Sequence, residues 1–230
     1  MKLLVFLAGI TVVSGIIAPG YGGFGGGSSS SSSEEHRRPH HHHHHHHHHE
    51  RSSEEEATPP PPATCPVNWM SFNRPQGTWC VKVFFTSGVN RDSAEQLCKA
   101  QGATLTGVQD ASENMQIAND ARNVYNQYRQ GQGEVWLGAS RKPNCPLRQS
   151  CAPLQTFDWT DGHTTGTAGF IWGPTEPNGI IFANWGQENC INQLISGCCA
   201  TGKFGYPHGS MDDSHCQNSF NLYACGKRPS

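Results

Sequence analysis

Ten cysteines, all lying between Cys65 and Cys225, constrain this chain more than any other feature. They stand at 65, 80, 98, 145, 151, 190, 198, 199, 216 and 225. An even number in a chain with a leader implies a disulfide framework formed in an oxidising compartment. No paired C-x-x-C knuckles occur, so a structural zinc site is the poorer reading. Spacing alone does not give the connectivity. The N-terminus agrees with an extracellular destination. MKLLVFLAGITVVSGIIA has one lysine, an apolar run from Leu3 to Val13 and then small residues. Residues 1–18 therefore read as a signal peptide, its run too short to cross a bilayer. No later segment reaches transmembrane length, so the chain is expected to be secreted, with no membrane span.

Residues 19–63 are rich in Gly, Ser, Glu, His and Pro and nearly free of large apolar side chains. Such a segment cannot bury enough surface to offset its ordering entropy, and reads as a disordered low-complexity stalk. It contains six serines at 28–33, ten histidines at His40–His49 and four prolines at 59–62. The prolines are expected to form a semi-stiff spacer. For the histidine tract three readings stand open: a purification tag, a binder of zinc, copper or nickel through neutral imidazole, or a repeat without a role.

From residue 64 to 230 the composition is that of a folded domain. From Cys65 onward, acidic and basic residues balance at 12 each. Nothing in that balance suggests a nucleic-acid partner. Their placement is uneven, however. Asp158, Asp161, Glu176, Glu188, Asp212 and Asp213 lie between Arg148 and Lys227, a stretch whose only base is Lys203. Carboxylates held together either raise their pKa values or recruit a cation.

The pattern of elements is α+β. CPVNWMSFNRPQGTWCVKVF reads as a hairpin turning at Pro75-Gln76-Gly77. NRDSAEQLCKAQG reads as a helix capped by Asp92 with Glu95 three residues on, ending at Gly102, with Ala94, Leu97 and Cys98 on one face. A second helix starts around Asp110 and runs to about Gln130, with Met115, Ala118, Ala121, Val124, Tyr125 and Tyr128 near helical spacing. EVWLGAS (134–140), TFDWTDG (156–162), CINQLI (190–195) and NLYACGK (221–227) read as strands. Some 28 residues after Gly162 carry little periodicity, and a loop that long is normally functional or disordered.

In this order the motifs resemble a C-type lectin domain of the long form: CPVNW (65–69), AEQLCKAQGATL (94–105), VWLGAS, FDWTDG, EPN (176–178), ENC (188–190), DDSHC (212–216) and LYAC (222–225). The likeness covers about residues 65–228, and the layout is similar to small secreted invertebrate members. It implies two helices with antiparallel sheets, a long calcium-binding loop and three bridges: Cys65–Cys80, Cys98–Cys225 and Cys190–Cys216. It also implies a Ca²⁺ site made by Glu176, Asn178, Glu188, Asp212 and Asp213, with Pro177 in cis. Five oxygen-bearing side chains suit a hard cation that takes six to eight oxygens. Glu176, Asn178, Glu188 and Asp212 would also hold two sugar hydroxyls, and the EPN order implies mannose-, fucose- or GlcNAc-type glycans on host or microbial surfaces. A role in innate defence would follow by analogy.

Two departures from the family pattern bear on this. Asp212 stands where Asn is usual, and Met211 where Trp is usual. Glu188 and Asp212 are then both acceptors facing one hydroxyl proton, which opposes sugar binding, while the added carboxylate favours calcium. Other readings are a lectin-like protein-interaction module, or metal binding by the histidine tract. Of the six tryptophans, Trp69, Trp79, Trp136 and Trp159 read as core; Trp172 and Trp185 lie on the long loop, nearer a ligand. His163, His208, His215, Asp161 and Ser210 make a triad only on paper, since no nucleophile-elbow or metalloprotease motif frames them. The chain is not expected to be an enzyme. Cys145, Cys151, Cys198 and Cys199 fall outside the shared bridges, with pairings 145–151 and 198–199, cross-links between those pairs, or bridges between chains all open.

Overall fold

The hairpin at the start of the domain sets the frame of a computed structural model that describes residues 61–129 and 131–230. The leader expected at 1–18 and residues 19–60 of the expected stalk, with the histidine tract, lie outside the described residues. Strands β1 (Met70–Arg74) and β2 (Gly77–Val89) pair antiparallel from Met70↔Val81 to Arg74↔Gly77, and Cys65–Cys80 closes their base. Gly77 opens β2 with φ +110°, a conformation glycine adopts without steric penalty.

Helix α1 (Arg91–Lys99) follows, then β3 (Thr104–Leu105), α2 (Ala111–Tyr128) and β4 (Gln132–Arg141). The cap of α1 is Asn90, not Asp92: the Asn90 side chain accepts from Ser93 N, and Asp92 sits in the first turn where the helix dipole favours its charge. Glu95 turns away from the cap to accept from Thr104 Oγ1 and from Leu105 N. On α2, Asp110 caps by accepting from Glu113 N at 2.8 Å. Its buried face is Asn114, Ile117, Ala118, Ala121 and Tyr125. Met115 and Tyr128, expected on that face, are exposed. Tyr128 is instead stacked on Phe85 at 4.3 Å.

The remaining strands are β5 (Phe157–Trp159), β6 (Ile181–Phe182), β7 (Gly186–Gln187), β8 (Cys190–Ser196), β9 (Met211–Ser214) and β10 (Phe220–Lys227). The main sheet runs β1-β2-β10-β4-β8-β9, with β3 on β10 and β5 on β4. Every pairing in it is antiparallel except β10 with β4. Strand periodicity divides the core. Val135 and Leu137 pack with Ile117, Ala118 and Ala121 of α2, whereas Trp136 between them packs with Ala94 and Cys98 of α1. The bridges Cys98–Cys225 and Cys190–Cys216 tie α1 to β10 and β8 to the turn after β9. The other four cysteines pair as Cys145–Cys151 and Cys198–Cys199. Among the described residues no helix is long and apolar enough to cross a membrane.

The aperiodic stretch after β5 has its own hydrogen bonds. Asp161 accepts from the backbone N–H groups of His163 and Thr164. Met211 N donates to Ile171 O and Gly173 N to Met211 O, laying residues 171–173 along the outer edge of β9. Strands β6 and β7 then form a two-stranded hairpin.

Candidate functional site

Strand β9 is the last strand of the main sheet, and the edge it offers to residues 171–179 is where the acidic side chains meet. Carboxylate oxygens of Glu176, Asp212 and Asp213 lie within 4.8 Å of one another. Asn178 and Glu188 join them through a shared donor: Ile180 N donates to Asn178 Oδ1 at 3.1 Å and to Glu188 Oε2 at 3.0 Å. The Glu176–Pro177 peptide bond is cis.

Asp213 is fully buried, and its acceptors are engaged. Oδ1 accepts from Asn178 N at 2.8 Å. Oδ2 accepts from Gly179 N at 2.8 Å and from Arg141 Nη2 at 2.6 Å. Arg141 is a residue that reading along the chain missed. It ends β4, 72 positions before its partner. Its Nε donates to Glu188 O, and its guanidinium lies 4.8 Å over the Phe157 ring. Lys203, the one base inside the acidic stretch, instead pairs with Glu134 of β4. The charge that tempers the cluster thus arrives from a neighbouring part of the sheet. Tyr206 was missed as well. Its hydroxyl donates to Glu176 Oε1 at 2.7 Å, and its ring lies where a side chain on Gly173 would collide, 2.4 Å from an added Cβ. No periodicity marks either residue.

Four carboxylates against one guanidinium leave three negative charges uncompensated when all are ionised. The protons respond accordingly. Burial, then the charges of Glu176, Asp213 and Glu188, push Asp212 up to about 8. Burial and the Asp213 charge raise Glu188 to about 7. Burial raises Asp213 to about 6, against the lowering effect of Asn178 N–H and Arg141. Like charges in a poorly solvated place each favour the neutral acid in the other.

The donor set fits a hard divalent cation: carboxylate and amide oxygens only, in excess of the positive charge present. The three histidines of the paper triad sit apart. His163 stacks on Trp79 at 4.2 Å, His208 Nδ1 accepts from Ser196 N, and His215 lies beside Phe182. Trp172 packs against Phe157 and Phe170, whereas Trp185 is exposed.

Residues 69–226 match the family model described as C-type lectin domain-containing protein 141/158. A relative, C-type lectin domain-containing protein 158 of Caenorhabditis elegans, is 26% identical over 149 residues, spanning 57% of this chain and 70% of its own. Two solved structures are similar to this chain. The cow C-type carbohydrate-recognition domain of CD23, in the presence of GlcNAc2Man3 oligosaccharide, is 17% identical with a TM-score of 0.47, covering 73% of this chain and 98% of that one. A calcium-independent type II antifreeze protein is 22% identical with a TM-score of 0.47, covering 74% and 98%.

Proposed function

Because this chain belongs to the C-type lectin domain family, we propose that it is an extracellular, calcium-dependent glycan-binding protein. The observation that carries this reading is the meeting of Glu176, Asp212 and Asp213 oxygens within 4.8 Å, with Asn178 and Glu188 alongside. Glu176, Asn178, Glu188, Asp212 and Asp213 would hold Ca²⁺. The ion would supply positive charge and vacant coordination positions for two neighbouring sugar hydroxyls. The chain's own residues do the rest. Asn178 offers amide protons and Glu176 an acceptor, so one hydroxyl meets a donor and an acceptor. Tyr206 holds Glu176 in place, and Arg141 holds Asp213 and the Glu188 backbone. The glycans would be of mannose, fucose or GlcNAc type, and no step makes or breaks a covalent bond.

Calorimetric titration of Ca²⁺ into the full chain, followed by methyl-mannoside, tests this directly. Extracellular calcium modules bind at about 10⁻⁴–10⁻³ M, so silence up to several millimolar would refute the reading. One observation favours a second reading, a calcium-independent protein-interaction module. Asp213 is already satisfied by two backbone N–H groups and Arg141. Calcium silence with an intact fold would select it.

The raised carboxylates add a pH prediction. Their folded pKa values lie above the unfolded ones, so without calcium they stabilise the fold fully below about pH 4 and lose that contribution as pH rises through about 6 to 8. The Tm of the calcium-free chain should therefore fall between pH 5 and 8.5. Calcium competes with the same protons, so its affinity should rise over that interval, with proton release visible as a buffer-dependent heat. A calcium affinity that is flat from pH 5.5 to 8.5 would refute the coupling.

A further inference from the structure

Where β4 ends, a cleft of about 630 Å³ opens beside the start of α1, the end of β7 and the Cys190–Cys216 bridge. Arg91, Ser140, Arg141, Lys142, Thr160 and Gln187 line it, and Asp92 is the one carboxylate among the described residues at its wall. Three cations against one acid reverse the charge pattern of Glu176, Asp212 and Asp213. Arg141 gives its charge to Asp213, but the other two cations are loosely committed. Lys142 pairs at 3.1 Å with Asp158, whose side chain is 68% exposed, and ion pairs in such solvent contribute little. The Arg91 side chain is only 18% exposed, yet its ionic partner is Asp92 at 3.5 Å, itself 77% exposed. Arg91 Nη2 donates to Thr160 Oγ1 at 3.2 Å, while its buried Nε has no hydrogen-bond partner among the described residues. Gln187 Nε2 is likewise buried and without a partner among them. Buried N–H groups are nearly always paired, so two idle donors on the wall of one basic cleft point to an acceptor that enters from solvent.

The donors come from three separate elements, α1, β4 and β7, and carry net positive charge. That set suits an acceptor with oxygens on several sides, a tetrahedral oxyanion. A planar carboxylate offers two oxygens in one plane and would leave part of the set idle. We propose that this cleft is an oxyanion site that takes a sulfate or phosphate group, free or carried as an ester. Arg91 and Lys142 supply the charge, and Arg91 Nε and Gln187 Nε2 the directed hydrogen bonds. The cleft is roomier than a bare ion requires, so a group esterified to the oxyanion can enter with it against Pro143 and Pro146. The site needs neither calcium nor the carboxylate cluster.

The test is equilibrium dialysis of the full chain, in calcium-free buffer, against para-nitrophenyl sulfate and para-nitrophenyl phosphate, with sodium sulfate and sodium phosphate as competitors. Saturable binding at one site is expected, displaced by the inorganic ions. Arg91→Gln should weaken it about tenfold or more, the effect of losing a charge-assisted hydrogen bond. Lys142→Gln, at the more exposed wall, should weaken it about two- to fivefold. Lys99→Gln makes the same change of charge on α1 but outside the cleft, and should leave binding unchanged. No saturable binding by the unaltered chain overturns the site, as does a loss equally large in Lys99→Gln. Binding that survives both Arg91→Gln and Lys142→Gln overturns it too, by placing the anion elsewhere on the chain. Should Arg91→Gln lose its cooperative melt, Lys142→Gln against Lys99→Gln carries the comparison. Esters bound more tightly than the free ions would support the site and assign it an ester-borne group; equal affinities would support it and assign the free ion.

Discussion

Asp212→Asn is expected to raise the affinity of the calcium-loaded chain for methyl-mannoside by about 5- to 150-fold, the effect of relieving one unpaired polar group worth about 1–3 kcal/mol. A sugar hydroxyl has one proton and can satisfy one acceptor while receiving from one donor. Glu176 with Asn178 provides that combination; Glu188 with Asp212 provides two acceptors once both are ionised. The amide restores a donor at nearly constant shape. It also lowers the uncompensated charge of the cluster by one, so calcium should bind more weakly in the variant, and Glu188 should titrate closer to an ordinary carboxylate. The two affinities thus move in opposite directions, and a single calorimetric series measures both. Unchanged sugar affinity with calcium bound would reject the argument from paired acceptors. Lost sugar affinity would mean that Asp212 itself receives the hydroxyl proton.

Arg141→Met should destabilise the calcium-free domain by about 3–5 kcal/mol, the range for removing one partner of a buried ion pair. For a domain of this size that corresponds to a Tm lower by roughly 6–20 °C. The side chains of Arg141 and Asp213 are 5 and 0% exposed, so water cannot take over the lost interaction. Asp213 would keep the N–H groups of Asn178 and Gly179 but face Glu176, Asp212 and Glu188 without the nearby guanidinium. Calcium should then contribute more than it does in the unaltered chain, so the calcium-induced rise in Tm should be larger in the variant. Adding Asp213→Asn to Arg141→Met should recover part of the calcium-free loss, because no buried charge is left unpaired. A calcium-free Arg141→Met domain as stable as the parent would show that Asp213 is held as the neutral acid and that the pair contributes nothing.

Much of the fold was legible because it is written locally. A helix cap needs one side chain within three residues, and α2 has it at Asp110. At α1 the cap expected at Asp92 lies two residues earlier, at Asn90, where the backbone is still extended. The face of α2 was partly misassigned because Met115 and Tyr128 fit the helical period as well as the residues that are buried. Which side of a helix meets the sheet depends on where the sheet is, and here Ile117, Ala118 and Ala121 meet Val135 and Leu137. The stretch after Gly162 offered no periodicity because its order comes from hydrogen bonds to the edge of β9 and to Asp161, neither of which imposes a repeat.

The division is clearest at the carboxylates. The sequence by itself determined the disulfide-rich α+β class, the family likeness, and a concentration of acid in EPN, ENC and DDSHC with scant base nearby. It determined the kind of atom the site offers, since donor chemistry belongs to side chains wherever they lie. Tertiary structure alone decided how that charge is balanced. It ran β4 next to β8 so that Arg141 reaches Asp213, sent Lys203 away to Glu134, set Tyr206 on Glu176, and raised a hairpin with exposed aromatics beside His215. The physical reason is range. Propensity, capping and alternation act over a few covalently linked residues, whereas burial and Coulomb interaction act through space, between groups that only the packed chain brings within a few ångströms.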